Sequence, residues 1–339
     1  MNLITGASGL LGSHVILELL KKNAPVRAMV RASHHQQELR DLAMHYGMDP
    51  SLIDRIEWVK GDVMDIPSLS ECMQGCRSVY HCAAVVSYHS KDRNRMYQVN
   101  VEGTANVVNV ALAHGNISLC FVSSIAAIGK AKNNDRLDEN TAWVDSPLNT
   151  HYAITKNLAE LEVWRAMHEG LQGVIVNPGF IIGPGNFDRS SASVFRKLDE
   201  GLSYYPPGGT GFIGVRDVAE IMVSLMEKEI FGERFILVAE NLTMKELFQS
   251  IAAKLNKAIP EKEATPFILE LARWGEALRE LFTGRKALVT KESVRNASVR
   301  FFYDHDKITS VSPVTFTPIA DAVADTARYF LSKKNIQTR

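Results

Sequence analysis

The chain is 339 residues long and carries 38 Lys+Arg against 38 Asp+Glu. Zero net charge with no basic tract argues against nucleic acid or an anionic membrane as the main partner. No apolar run approaches a membrane span, and the first residues enter a strand at once, leaving no room for a signal peptide, so the expected location is cytoplasmic. The hydrophobic fraction of 46% is ordinary for a globular protein, and the length suits one large domain or two smaller ones. Cys72, Cys76, Cys82 and Cys120 sit in apolar context and read as small core residues. Cys72 and Cys76 are four apart with His81 nearby, but no second ligand pair completes a metal site, and none is expected.

In chain order, Leu3-Ile4 is a short buried strand running into Gly6-Ala7-Ser8-Gly9-Leu10-Leu11-Gly12. Apolar Leu10, Leu11, Val15 and Leu19 then mark a helix. Strand, glycine turn and helix aim backbone N–H groups and a positive helix end at a phosphate; a Cβ at the glycine positions would hold the phosphate away and would clash where the chain takes positive φ. A plain glycine-rich turn is the bland alternative; the flanking strand and helix favour a nucleotide cradle. Further strands are expected at Pro25–Val30, with Arg31 at its exit, at Ile56–Val59, at Ser78–Ala84, at Leu119–Val122 and at Gly173–Val176, where Pro178 marks the end. Helices are expected from about Tyr97 to His114 and from Tyr152 onward. Strands alternating with helices predict an α/β fold, a Rossmann-type doubly wound parallel sheet covered on both faces.

After Pro178, glycine, proline and aromatics crowd Gly179 to Gly214, and the remainder is mostly helical with one strand candidate at Arg234–Val238. The expected division is a dinucleotide-binding unit over 1–178 that also receives 211–239. A smaller, mostly helical C-terminal substrate lobe takes 179–210 and 240–339. Such a lobe would roof the crevice at the carboxyl ends of the strands. The apolar faces of helices at Met244–Asn256 and Pro266–Phe282 would serve a homodimer as readily as a core.

Tyr152-Ala-Ile-Thr-Lys156 is the most informative short motif. Residues four apart share a helix face, which sets an ammonium beside a phenol and is expected to lower the tyrosine pKa toward a working acid–base range. A packed ring with a solvated neighbour is the bland alternative. Ser124 ends a strand of the same sheet, so its hydroxyl would emerge where ligands sit and could bond a substrate oxygen while Tyr152 supplies its proton. Ser87, Tyr88 and His89 follow the fourth strand and are weaker candidates for substrate contact.

The series Gly6-x-x-Gly9-x-x-Gly12, Gly61-Asp62-Val63, His81-x-Ala83-Ala84, Asn100-Val-Glu-Gly103-Thr104, Ser123-Ser124 and Tyr152-x-x-x-Lys156 resembles the short-chain dehydrogenase/reductase family. Val215-Arg-Asp-Val-Ala219 and the length resemble its extended branch, the NAD-dependent epimerase/dehydratase superfamily. His81–Ser87, Asn177–Pro184 and Tyr205–Gly209 are similar to the dihydroflavonol 4-reductase and 3β-hydroxysteroid dehydrogenase relatives. The resemblance implies that Gly6, Ala7, Ser8, Gly9, Leu10, Leu11 and Gly12 surround the pyrophosphate. It implies that Asp62 and Val63 lie by the adenine, that Ala83 and Ala84 line the cofactor, and that Asn100 supports the site, with Asn177 and Pro178 beside the cofactor. It also implies Ser124 as the carbonyl-polarising group, Tyr152 as general acid, and Lys156 as the residue that holds the nicotinamide ribose and tunes the tyrosine.

Arg31 stands where NAD-preferring relatives carry an acid for the ribose 2′-hydroxyl. A guanidinium suits a 2′-phosphate, so NADP(H) is the expected cofactor and NAD(H) the second choice, with His34, His35 and Arg40 as weaker helpers. The dehydratases' Asp-Glu pair is missing, since Ile125-Ala-Ala-Ile128 follows the serine. NADPH-dependent reduction of a small-molecule ketone or aldehyde is therefore the leading reading. The alternatives are an NAD-dependent nucleotide-sugar epimerase and a non-catalytic NADP-binding sensor. Phe180, Phe187, Tyr204, Tyr205 and Phe212 could line an apolar substrate pocket or simply form core. Arg189, Arg196 and Arg216 could meet a sugar diphosphate or be surface charge. The polar loop Lys130–Asn149 reads as a flap over the site.

Overall fold

The computed structural model describes every residue except 33–35, 131–135, 189–190, 266, 272, 275–289, 291, 293, 295–297, 313 and 338–339. His34, His35, Arg189 and most of the helix expected over 266–282 therefore lie outside the described residues.

Short, nearly continuous apolar runs, buried on both faces, build the central sheet. β1 (Asn2–Thr5), β2 (Val26–Val30), β3 (Glu57–Lys60), β4 (Ser78–His81), β5 (Ser118–Val122), β7 (Gly173–Pro178) and β11 (Glu233–Leu237) hydrogen-bond in the order β11-β7-β5-β4-β1-β2-β3. The short β6 (Arg136–Leu137) lies outside this sheet. Every pairing is parallel. Successive side chains point to opposite faces. Ile4, Tyr80, Cys120 and Val176 enter one core layer, while Leu3, Val79, Phe121 and Ile175 enter the other. Each such side chain contributes roughly 1.5–3 kcal/mol by leaving water. The first layer is closed by α1 (Leu10–Lys21), α2 (Gln36–His45) and α8 (Val215–Glu227), with α8 packed along α1. The second is closed by α3 (Ile66–Met73), α5 (Gly103–His114) and α6 (His151–His168). The strand order reverses between β1 and β4, which opens a crevice at their carboxyl ends.

The helix expected from Tyr97 begins earlier, as α4 (Arg93–Tyr97), and passes through a wide π turn at Gln98–Glu102 before α5. After β7 the chain forms a second, three-stranded sheet from β8 (Phe180–Ile182), β10 (Gly209–Gly214) and β12 (Glu240–Thr243). α7 (Ser193–Asp199) and α9 (Met244–Leu255) pack beside this sheet, joined by the last helix, Ile319–Gln337. The strand candidate at Arg234 is β11, the edge of the main sheet. Asp217 docks the chain before the last helix by accepting from the Thr317 backbone and hydroxyl, both at 2.8 Å. Among the described residues no helix is long and apolar enough to cross a membrane.

Candidate active site

The glycine turn is shaped first by the chain's own backbone. Gly6 has φ +67°, and a Cβ there would lie 2.7 Å from the Ala83 nitrogen; a Cβ on Gly12 would lie 2.3 Å from the Gly6 carbonyl oxygen. A Cβ on Gly9 would meet a single neighbour, the Gly6 oxygen at a tight 3.1 Å. The positive φ at Gly6 and the close backbone approaches at Gly6 and Gly12 require glycine there apart from any phosphate. Gly6 and Gly12 let β1, α1 and the β4 exit approach one another, and Gly9 leaves the helix end open. Gly9 caps α1 without a side-chain bond, and the first turn holds no acid, so the helix N-terminus presents its N–H groups and positive end to the crevice.

That crevice is a cavity of about 860 Å³. Gly6, Ala7, Ser8, Gly9, Leu10, Arg31, Asp62, Val63, Ala83 and Ala84 all line it. Leu11 instead turns into the core, 7% exposed. Asp62 holds its own turn by accepting from Met64 N at 3.0 Å. Leu11, Gly12, Asn100, Asn177 and Pro178, and the three residues expected to do chemistry, are not part of the cavity wall. The buried surround, the capless helix end and Arg31 at the β2 exit fit a dinucleotide phosphate and ribose.

Two hydrogen-bond networks surround the Ser-Tyr-Lys residues, and the first begins at the crevice wall. In the first, Ala83 N donates to Thr5 Oγ1 at 3.3 Å, Thr5 bonds His81 Nδ1 at 2.7 Å, and His81 Nε2 bonds Thr104 Oγ1 at 3.0 Å. Thr104 then donates to the Asn100 carbonyl at 2.6 Å. This chain is satisfied only when His81 is neutral with its proton on Nε2, and burial pulls that histidine down to about 3. Asn100 sits in the π turn, a place where functional side chains recur. Its Oδ1 accepts from Val85 N at 2.7 Å, and its amide donates to Val85 O at 2.9 Å and Thr155 Oγ1 at 3.1 Å. Asn100 therefore clamps the β4 exit to α6, one residue before Lys156.

The second network lies under β5. Thr150 caps α6 by accepting from Ala153 N, and the helix carries Tyr152, Lys156 and Glu160 on one face. Lys156 is 1% exposed; its Nζ donates to Val122 O at 2.7 Å and stands 4.3 Å from the centre of the Phe121 ring. Burial pulls its pKa down to about 8, with Glu160 opposing. The Ser124 hydroxyl and Tyr88 both stand close enough to Tyr152 to act on its phenol, the serine favouring the ionised form and Tyr88 opposing it. The Ser124 carbonyl accepts from the Asn177 amide at 3.0 Å. Here the structure corrects an expectation. Burial, followed by Tyr88, pushes the Tyr152 phenol far above its ordinary range, and the Ser124 hydroxyl opposes only in part. Lys156 spends its ammonium on Val122 O and is no cause of a lowered phenol.

Most of the other candidates pack into core or pair with neighbours, and of these Phe187 and Arg196 also line the cavity. Phe212 is fully buried against Phe180, ring centres 5.5 Å apart, and Phe187 packs on Phe330 at 4.8 Å. Tyr205 is buried, while Tyr204 is exposed. Ser87 bonds Asp92 at 2.8 Å, and His89 Nδ1 accepts from Lys91 N at 3.1 Å, so both build a turn and Tyr88 is the one beside Tyr152. Arg216 lies over the Tyr46 ring, 4.9 Å from its centre, behind α1; Arg196 pairs with Asp188. Arg40 pairs with Asp54. The described part of the expected flap is tied down, with Lys130 Nζ donating to Leu148 O at 3.0 Å.

With this geometry in view, the family is decided by its model: the NAD dependent epimerase/dehydratase family matches residues 2–237. The chain belongs to that family. It is an NAD(P)-dependent oxidoreductase of the extended short-chain dehydrogenase/reductase type, acting on CH–OH or C=O groups. A putative dihydroflavonol 4-reductase of Synechocystis sp. (strain ATCC 27184 / PCC 6803 / Kazusa) is 30% identical over 99% of this chain and 96% of that protein. Cinnamoyl-CoA reductase 1 of Oryza sativa subsp. japonica is 30% identical over 73% and 74%. Among solved structures, gox2253 superposes with TM-score 0.79 at 26% identity over 98% of both chains. Yeast methylglyoxal/isovaleraldehyde reductase Gre2 complexed with NADPH reaches 0.72 at 20% identity over 99% of both, a likeness of fold.

Neither the Glu160–Arg234 pair nor the Thr5–His81–Thr104 chain was expected from the sequence. The position of Glu160 four residues after Lys156, on the same face, was the available signal.

Proposed function

We propose that the protein reduces a small-molecule ketone or aldehyde with NADPH, using Ser124, Tyr152 and Lys156. The observation that carries this reading is the Ser124 hydroxyl set against the Tyr152 phenol, with Lys156 one helical turn further along the same face. A bound reduced nicotinamide supplies the hydride. Ser124 fixes the direction of the substrate oxygen through its hydroxyl. Tyr152 is a neutral phenol at neutral pH and gives its proton to that oxygen as the carbonyl is reduced. Lys156 reaches this buried position with a pKa near 8 and can donate to ribose hydroxyls while still charged. Arg31, exposed at the cavity wall, supports NADPH over NADH by meeting a 2′-phosphate.

Relatives named as reductases support the same direction. Of the arginines considered for a sugar diphosphate, Arg216 lies over the Tyr46 ring and Arg196 pairs with Asp188 at the cavity wall, while Arg189 lies outside the described residues. NADPH absorbance over a panel of ketones, aldehydes and UDP- or dTDP-sugars, with Tyr152→Phe as the blank, tests the proposal. Expected is NADPH loss with a carbonyl substrate that the blank abolishes. Sugar isomer formed without net NADPH loss would overturn it.

A further inference from the structure

Beneath Ser124 and Lys156 lies a buried ion pair that the proposed chemistry does not consume. Glu160 is 1% exposed. One of its carboxylate oxygens accepts from the Ser123 hydroxyl and the Asn177 amide. The other accepts from the Arg234 guanidinium of β11 at 3.2 Å. Arg234 also donates to the Glu139 carbonyl at 2.9 Å, while the Glu139 carboxylate accepts from Ile236 N at 2.8 Å. The ends of β5, β7 and β11 are thereby fastened to the helix that carries Tyr152 and Lys156.

Buried ion pairs add little net stability, because desolvation offsets their attraction. Their charge acts on neighbours instead, with little water to screen it. The groups that face Lys156 are Tyr152 and Glu160 on α6, His81 and Cys82 at the end of β4, and the Phe121 ring and Val122 carbonyl of β5. Glu160 is the carboxylate in that set.

We propose that Glu160 and Arg234 are positioning residues: Glu160 keeps the Lys156 ammonium charged and the Ser123-Ser124 turn in place, and Arg234 sets how strongly Glu160 does so. The inference rests on the reading of Lys156 as the group that holds the cofactor ribose. Removing the Glu160 charge leaves Lys156 among apolar and neutral groups and favours its neutral form. Removing the Arg234 charge leaves Glu160 held by the Ser123 and Asn177 donors, with its field on Lys156 no longer offset. The two substitutions therefore act in opposite senses, which loss of a merely structural contact would not do.

The test is the NADPH dissociation constant, followed by nicotinamide fluorescence from pH 6 to 10, for wild type, Glu160→Gln and Arg234→Gln. Circular dichroism and thermal unfolding monitor the fold. Affinity is expected to fall as pH rises through the Lys156 pKa. In Glu160→Gln that limb should move about one pH unit lower, and in Arg234→Gln it should move higher. Movement in the same direction, or weaker binding with the limb unmoved, overturns the inference. Should Glu160→Gln fail to fold, Arg234→Gln decides alone: an upward shift supports the pair, and no shift or a downward one refutes it. Wild-type protein that binds no NADPH at any pH overturns the cofactor reading, and this inference with it. A wild-type limb that both variants leave unmoved overturns the inference alone.

Discussion

Burial pushes the Tyr152 phenol above its ordinary range and the Ser124 hydroxyl opposes, so the group is a neutral phenol at neutral pH and holds the proton that the proposed reduction requires. Tyr152→Phe removes that proton and keeps the ring. Expected is a fall in kcat of roughly 100-fold or more, with the NADPH dissociation constant within about twofold of wild type. Steady-state kinetics and fluorescence titration measure the two. Arg31→Ala should raise KM for NADPH about tenfold or more, the scale of a charge-assisted hydrogen bond, and leave KM for NADH unmoved. Equal effects on both cofactors would remove Arg31 from the 2′-phosphate. These residues were legible in the sequence because their chemistry demands particular side chains at fixed spacing. Glu160 and Arg234 were not, since a carboxylate on a helix reads as solvated and its partner is 74 residues away. The direction of the Tyr152 shift was also illegible, because it depends on how much water the folded site excludes.

The π turn at Gln98–Glu102 is the element that joins the two halves of the site, through Asn100. Asn100→Ala leaves the Val85 N–H and C=O without their side-chain partner and unpins α6. Expected is a loss of about 1–3 kcal/mol per stranded group, read as a lower urea midpoint, together with a reduced kcat. The glycine turn gives a sharper contrast. Gly12→Ala forces a Cβ to within 2.3 Å of the Gly6 carbonyl and should unfold or displace α1, whereas Gly9→Ala should fold and lose affinity for NADPH. Thermal unfolding and cofactor titration of the two variants separate the roles. An uninterrupted helix from Tyr97 was the natural reading of its apolar spacing; the π turn departs from it by a wider hydrogen-bond ring, which periodicity does not register. The three-stranded sheet β8-β10-β12 also escaped detection, because β8 and β12 are short and β10 is glycine-rich.

For the molecule as a whole, parallel topology followed directly from apolar strands alternating with helices, and the switch between β1 and β4 placed the crevice. What the pattern could not reveal is how the core carries polar groups. His81 and His14 are both buried and neutral, pulled down by burial to about 3 and about 4. Their folded pKa values lie below the unfolded value near 6.5, so the unfolded chain binds more protons on acidification. The stability they support is fully present above pH 6.5 and is lost as pH falls toward 4 and then 3, at about 1.4 kcal/mol per histidine per pH unit. Urea unfolding should weaken by roughly 2–3 kcal/mol between pH 6 and 5; a flat profile would contradict the neutral His81 chain. The central claim, carbonyl reduction by a Ser-Tyr-Lys site, is tested most directly by tracing the hydride. NADPH deuterated at the transferred position is supplied with an accepted ketone or aldehyde, and the product is weighed by mass spectrometry. Expected is one deuterium on the new carbinol carbon for each NADPH consumed, with the signal lost in Tyr152→Phe. Unlabelled product, or labelled product formed by Tyr152→Phe at the wild-type rate, would contradict it.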